Sequence, residues 1–215
     1  MSLTVLQKLI IELKEAKVNE MDARLNQLEF IEDKHEYWYT EGNEHRQLFG
    51  VTSPIGQILG KDFPDTTLVQ LSTIYGHDVH SESEKWIKEG KEPSTEAGKW
   101  LVQFLKDFQK KNGVTRYEAE LPVSDFIGTA SCIDIAATLE NGSCVLFDIK
   151  TTSTFDRAYC SLQLSVYKRL FEENYDKSVD AMFVLGTKSR RSYRILEQDN
   201  AKVRKVLNIN RTKTI

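Results

Sequence analysis

The sequence predicts an α/β (α+β) fold in which helices flank a mixed central β-sheet, and three observations support this. Strand-like and helix-like segments alternate along the chain, the pattern of helices covering a sheet. Its 215 residues, 40% hydrophobic and 28% charged, suffice for one large domain with a packed core. No internal repeat and no low-complexity linker interrupts them.

Residues 3–28 read as helix, because Leu6, Leu9, Ile10, Leu13, Met21, Leu25 and Leu28 recur at three- and four-residue steps. The periodicity weakens between Lys17 and Glu20, which leaves two shorter helices open. Residues 1–30 are set apart as an N-terminal helical segment, ahead of a domain spanning 31–215. The stretch 37-YWYTEGNEHRQLFGVTSPI-55 reads as a β-hairpin around Glu41-Gly42-Asn43 that runs into a helix start at Ser53-Pro54. Helical pattern returns over 67–89 and 94–111. The second of these carries Ala97, Trp100, Leu101, Phe104, Leu105 and Phe108 on one face and stops at Asn112-Gly113. Strands follow at 115–123, 126–139 and 143–150, then a helix at 155–175, strands near 181–187 and 192–196, and a short basic helix or tail.

The formal net charge of −3 gives no overall attraction to nucleic acid, yet the charge is unevenly placed. Residues 177–215 hold ten Lys/Arg against three Asp/Glu, a balance of +7, while residues 1–176 carry −10. A basic end on an acidic body suits an anionic partner held near one face, and a solvated basic surface is the plain alternative. Cys132, Cys144 and Cys160 have no close ligand spacing and cannot all pair, which points to core thiols in a reducing compartment. Glu12 and Glu15 interrupt any signal-peptide pattern, and no apolar run nears the ~20 residues of a membrane span. A soluble intracellular protein is expected.

The chemistry concentrates in 144-CVLFDIKTTS-153. Strand alternation puts Val145, Phe147 and Ile149 on one face and Cys144, Leu146, Asp148 and Lys150 on the other. Acid-x-Lys triplets occur five times in the chain, but only Asp148-Ile149-Lys150 ends an apolar strand, where ionised groups need partners. In the preceding strand, Ile127, Ile133, Ile135 and Leu139 share one face and Asp134 takes the other. A two-residue turn at Asn141-Gly142 sets Asp134 and Asp148 on opposite faces. A three-residue loop, Glu140-Asn141-Gly142 with Gly142 left-handed, pairs Leu139 with Ser143 and places Asp134 directly across from Asp148. Like charges across a ladder repel, so something must offset them. From these residues alone, a metal site and a buried Asp148–Lys150–Asp134 network both remain open. In strand 115–123, Tyr117, Ala119, Leu121 and Val123 share the apolar face, and Glu118 and Glu120 share the other, where one of them can reach the same site. Carboxylate oxygens are hard ligands suited to Mg2+ or Mn2+. Lys150 would stand beside such an ion, placed to stabilise charge on a phosphate or to orient water.

Asp134 followed by Asp148-x-Lys150 at the end of the next strand resembles the PD-(D/E)XK nuclease superfamily. Gln163-Leu-Ser-Val-Tyr167 is similar to the Gln-x-x-x-Tyr motif of its RecB-like exonuclease branch, and Gly76-His-Asp-Val-His80 to that branch's Gly-x-x-x-His helix. Gly128-Thr-Ala-Ser-Cys-Ile-Asp134 resembles its glycine-led approach to the first aspartate. The segment leading to Val51-Thr52-Ser53 is similar to the one preceding the core in phage-type members. These motifs cover about residues 35–170 and are individually weak but jointly specific in order and spacing. Ile133 stands where the family's loosely kept proline would be.

The resemblance implies a restriction-endonuclease-like nuclease core. It implies one or two Mg2+ or Mn2+ ions held by His80, Glu120, Asp134, Asp148 and the Ile149 backbone carbonyl. Glu120 is preferred to Glu118 because Glu120-Leu-Pro-Val resembles the family's Glu-x-x-Val run, and His80 is preferred to His77 by its offset from Gly76. The implied catalytic set is Glu120, Asp134, Asp148, Lys150, Gln163 and Tyr167. Gln163 and Tyr167 share a helix face, the first to bond the scissile region or a bound water, the second to place the DNA backbone or else to pack in the core. Lys188, Arg190, Arg191 and Arg194 are candidates for clamping phosphates. The implied activity is a deoxyribonuclease, foremost an exonuclease working from DNA ends in phage or bacterial recombination or repair, in the cytoplasm of a bacterium or phage-infected host. A structure-specific endonuclease and a catalytically inactive DNA-binding module of the same fold are the alternatives. Three scattered cysteines fall short of the four that an iron–sulfur cluster needs, so none is expected. The sequence has no Gly-rich phosphate loop, so unwinding would fall to a helicase or recombination partner, and an oligomer is compatible with the chain.

Overall fold

The computed structural model describes residues 5–31, 34, 36–61 and 67–213. Helix α1 (Val5–Leu25) runs unbroken through Lys17–Glu20, where the weakened periodicity left a break open. Its last turns are anchored. Met21 and Leu25 pack with Tyr39, Leu48, Phe126 and Ala130, and Lys17 pairs with Asp176 at 2.9 Å. Strands β1 (Leu28–Ile31), β2 (Glu36–Glu41) and β3 (Glu44–Leu48) then form an antiparallel sheet in the order β1-β2-β3. β2 and β3 are the expected hairpin. β1 lies where the helical reading ends, and a boundary at residue 30 falls inside it. Four residues are too few for a period to separate them from the helix before.

Three helices follow, α2 (Thr52–Leu59), α3 (Thr67–Glu89) and α4 (Glu96–Asn112), close to the expected spans. The Thr95 side chain caps α4 by accepting the Gly98 N–H at 3.0 Å, and Gly113 ends it in a left-handed conformation. Next come β4 (Val114–Ser124), β5 (Ala130–Leu139) and β6 (Cys144–Lys150), then α5 (Arg157–Tyr175), β7 (Val179–Gly186), β8 (Arg191–Ile195) and α6 (Asn200–Arg211). β4 to β8 make one mixed five-stranded sheet in chain order. Only β6 and β7 are parallel, because α5 crosses over between them. On one face, Leu146 and Val184 pack against Ile55 of α2, Leu162 and Val166 of α5 and Val203 of α6. On the other, Val145, Phe147 and Ile149 pack against Val79 of α3 and Leu101 and Leu105 of α4. Among the described residues, no helix is long and apolar enough to cross a membrane.

The β5–β6 turn is the three-residue alternative. Gly142 has φ 84°, the Leu139 N–H donates to the Ser143 carbonyl at 2.8 Å, and Ile135 pairs with Phe147. Continued by one step, this register brings Asp134 opposite Asp148. The expected face assignments of β4 and β5 need correction at this same level. Ile135 lies in the α3/α4 core but Ile133 in the α2/α5/α6 core, and likewise Tyr117 packs on the first while Leu121 and Val123 pack on the second. Ile127 is exposed, since β5 begins at Ala130 rather than at residue 126. The cause lies in the backbone. Glu120 adopts φ 52°, and a left-handed residue inside a strand re-aims the side chains beyond it as a bulge does. Strict alternation holds up to that residue and fails across it.

The loop before β5 ties the two sheets together. Asp125 Oδ1 accepts the N–H groups of Ile127, Gly128 and Thr129, and its Oδ2 accepts Arg211 Nε at 2.9 Å. Phe49 bridges to this loop through Gly128 and Ala130. At Gly128 a Cβ would sit 2.7 Å from the Arg211 backbone, so the end of α6 can rest there only on a glycine. Gly128→Ala must displace α6, and a loss of about 1–3 kcal/mol is expected in urea unfolding. An unchanged midpoint would show that the α6 contact bears no stability.

Candidate metal centre

Four elements deliver charged side chains to the end of β6. α3 supplies His80, β4 supplies Glu120, β5 supplies Asp134, and β6 supplies Asp148 and Lys150. One ligand atom each from His80, Glu120 and Asp134 lies within 4.8 Å of the other two. His80 Nδ1 stands 3.7 Å from a carboxylate oxygen of both Glu120 and Asp134. The ladder between β5 and β6 gives way here to a side chain, because Asp134 Oδ2 accepts the Ile149 N–H at 2.6 Å. Ile149 is thereby bound to the site through its amide.

Asp148 is 3% exposed, and its two oxygens differ. Oδ1 accepts Lys150 Nζ at 2.9 Å, whereas Oδ2 is buried with no hydrogen-bond partner. Lys150 Nζ also donates to Gln163 Oε1 at 3.3 Å, Gln163 Nε2 donates to the Tyr167 hydroxyl at 2.9 Å, and Ser131 Oγ donates to that hydroxyl at 3.0 Å. Gln163 and Tyr167 thus lie on the α5 face that looks onto Lys150, and Tyr167 is both buried in the core and part of this chain of bonds.

The electrostatics follow from burial and crowding. Burial alone would depress the His80 imidazole, but Asp134 and Glu120 outweigh it and raise its pKa to about 9. Burial pushes the Asp134 carboxyl up, with Asp148 and Glu120 adding to the shift and His80 and Lys150 opposing it. Burial likewise opposes the charge on Lys150, yet Asp148 at its side holds its pKa above the ordinary lysine range. His80 is also positioned from behind. Glu82, half a turn on, accepts Ser94 N at 2.9 Å, Ser94 Oγ at 2.6 Å and Thr95 N at 3.0 Å, and so fastens α3 to the start of α4.

The remaining expected residues divide by position. Glu118 points elsewhere, bonded to Arg116 at 2.8 Å. The side chain of His77 lies outside the described residues. Lys188 and Arg190 occupy the β7–β8 turn, Arg191 opens β8, and all three are exposed. Since Lys150 pairs with Gly186 and Gly186 with Arg191, this turn stands at the same sheet end as the acids. Arg190 lies 3.8 Å from Glu96. Arg194 pairs with Phe183, which packs in the α3/α4 core, so it sits on the sheet face away from Asp148. Three residues that sequence reasoning passed over also border the centre. Ser131 bonds Tyr167, Cys132 lies against Glu120, which with burial pushes its thiol well up, and Tyr37 approaches from β2. Ser131 and Cys132 lie inside the quoted Gly128–Asp134 run, but nothing local in the sequence marks Tyr37.

A scan against family models finds no match, and neither does a search of curated proteins. Among solved structures, a protein of Eubacterium rectale provisionally named an exonuclease is 9% identical over 77% of each chain, with a TM-score of 0.37. The protein SSO0001 is 15% identical over 95% of this chain and 87% of its own, with a TM-score of 0.38. Likeness at this level leaves the argument to the residues themselves.

The raised His80 pKa has a signed consequence for stability. The stabilisation from its charge is fully present below the unfolded value near 6.5 and is lost as pH rises through about 9. In EDTA, unfolding free energy should therefore fall between pH 6.5 and about 10 by at most ~3 kcal/mol, and His80→Ala should flatten that slope. An equally steep slope in the variant would assign it to other groups.

Proposed function

We propose that this chain is a metal-dependent deoxyribonuclease of the PD-(D/E)XK kind, acting foremost as an exonuclease from DNA ends. The observation that carries the proposal is the meeting of His80, Glu120 and Asp134 beside the Asp148–Lys150 pair at one strand end. The residues fit a divalent cation. The triad offers two carboxylates and one imidazole at ligand spacing, and the buried Asp148 Oδ2 is a further oxygen in want of a partner. Hard oxygens with one nitrogen suit Mg2+ or Mn2+, the nitrogen favouring Mn2+. His80, Glu120, Asp134 and Asp148 would hold the ion, with the Ile149 carbonyl as a further candidate. A bound cation supplies Lewis acidity to the phosphate and acidifies attacking water.

The protein groups have separable tasks in this reading. Asp148 keeps Lys150 protonated, so the lysine acts as a fixed positive charge toward the phosphate and not as a base. Gln163 aims the ammonium, and Tyr167 and Ser131 hold Gln163 in turn. Lys188, Arg190 and Arg191 would take neighbouring phosphates at the β7–β8 turn, while Arg194, on the other face, would serve a strand only if it wraps the sheet edge. Acids on three successive antiparallel strands, followed by a crossover helix and the parallel β7, support this reading.

End-labelled linear duplex and closed circular DNA, each with Mg2+, Mn2+ or EDTA, test the proposal. Metal-dependent loss of the linear substrate is expected, with the circle intact and Lys150→Ala reduced at least about a hundredfold. Cleavage of the circle would make it an endonuclease, and binding without cleavage would make it a non-catalytic DNA-binding module. A second expectation concerns salt. Arg191→Ala should lower the slope of log K against log salt on duplex DNA by about 0.9, as loss of one phosphate contact does. An unchanged slope would remove the β7–β8 turn from the interface.

A further inference from the structure

The sheet face that carries Asp148 continues sideways to an arginine outside the catalytic set. Asp148 pairs with Val184 and Val184 with Tyr193, so the three residues form one row across β6, β7 and β8. Val184 lies in the α2/α5/α6 core and Tyr193 packs against it, which puts the row on the face covered by α5. Tyr193 is held on two sides. Phe155 meets its ring at 66° with centroids 5.0 Å apart, and its hydroxyl donates to Ser189 Oγ at 3.3 Å in the β7–β8 turn. Arg157, the first residue of α5, is exposed and lays its guanidinium over this ring, 5.5 Å from the centroid. The adjacent Asp156 is engaged elsewhere, accepting the Ala158 and Tyr159 N–H groups at 2.9 and 3.1 Å and pairing with Lys61. Among the described residues, no carboxylate pairs with Arg157.

We infer that Arg157, laid on Tyr193, binds a phosphate close along the strand from the scissile one, so that the DNA leaves the metal centre across β7 toward β8. The inference rests on the nuclease reading for its ligand and adds a binding residue and a direction. A guanidinium stacked on a ring uses its face, and its N–H edge stays free to meet a phosphate. Neighbouring strands are about 4.8 Å apart, so Tyr193 stands roughly 10 Å from Asp148 across the sheet. A DNA strand carries a phosphate about every 3.4 Å of helix axis, so one of the next three falls within that span. Two other cations supply the contrast. Arg194, beside Tyr193 in β8, sits on the opposite sheet face, where Phe183 packs. Lys110 is exposed in the last turn of α4, which leads into Val114, paired with Leu139 at the sheet end away from the acids.

The test is binding of a 5′-fluorescein DNA duplex, followed by anisotropy over a salt series in EDTA and again in Ca2+. Arg157→Ala should weaken binding about threefold to about thirtyfold at low salt and lower the slope of log K against log salt by about 0.9. Arg157→Gln, which keeps most of the side-chain length, should do the same, and Arg157→Lys should keep the slope because the charge remains. Tyr193→Phe retains the ring and should retain binding. Tyr193→Leu should weaken binding in the wild type but add nothing to Arg157→Ala, because the ring acts through the guanidinium. Lys110→Ala should match the wild type. Unchanged binding by Arg157→Ala and Arg157→Gln, an equal loss in Lys110→Ala, additive losses from Tyr193→Leu and Arg157→Ala, or no DNA binding by the wild type in either buffer would overturn the inference. Absence of cleavage by the wild type in Mg2+ and Mn2+ would sink the nuclease reading alone, since the Arg157 result is read from binding.

Discussion

Two carboxylates brought side by side by the register of one hairpin set the terms for everything around them. A three-residue turn closed by a left-handed Gly142 leaves Asp134 and Asp148 one step beyond the last paired residues of β5 and β6. Two anions in that position, one buried and one half-buried, are unfavourable unless positive charge or hydrogen bonds reach them. The neighbouring elements can be understood as answers to that requirement. Lys150 reaches Asp148, the Ile149 amide reaches Asp134, and α3 presents His80 to Asp134 and Glu120. One oxygen of Asp148 is still left without a partner, and this residual demand separates the centre from an ordinary buried ion pair.

The backbone shares in the arrangement. Glu120 holds φ 52°, a conformation that costs a non-glycine residue of order 1–3 kcal/mol and persists only where surrounding structure fixes it. The distortion turns the Glu120 carboxylate toward His80 and Asp134, and at the same point β4 and β5 pass their apolar side chains from one core to the other. Site and fold are therefore coupled. The bend that assembles the acids also lets helices on both faces find an apolar surface.

Much of this was legible in the chain because the relevant signals are local. The spans of α3, α4 and α5, the three-residue turn as one of two choices, and the facing of Asp148 and Lys150 follow from periodicity and turn chemistry over a few residues. The failures share the opposite cause. β1 is too short to carry a period, and the change of face at Glu120 depends on a φ angle that no residue preference announces, since glutamate seldom takes it. Tyr37 and Ser131 come together only when the small sheet packs on β5, a contact with 94 residues of intervening separation in numbering and no sequence echo. Motif reading names single residues. It does not foresee a neighbour delivered by another sheet.

The uneven charge of the chain acquires a direction from the same topology. The basic excess of residues 177–215 enters the structure at the β7–β8 turn, and the parallel pairing of β6 with β7 fixes that turn beside the end of β6. In the proposed function, a phosphate approaching this end would meet Lys188, Arg190 and Arg191 at the rim and carboxylates further in, so attraction would give way to repulsion along its path. Lys150 and His80 are the positive inner groups, and their charges are already shared with Asp148 and with Asp134 and Glu120. In the proposed function, deep entry of a phosphate would therefore depend on a cation at the acids. Under that proposal, substrate binding would be coupled to metal binding through charge.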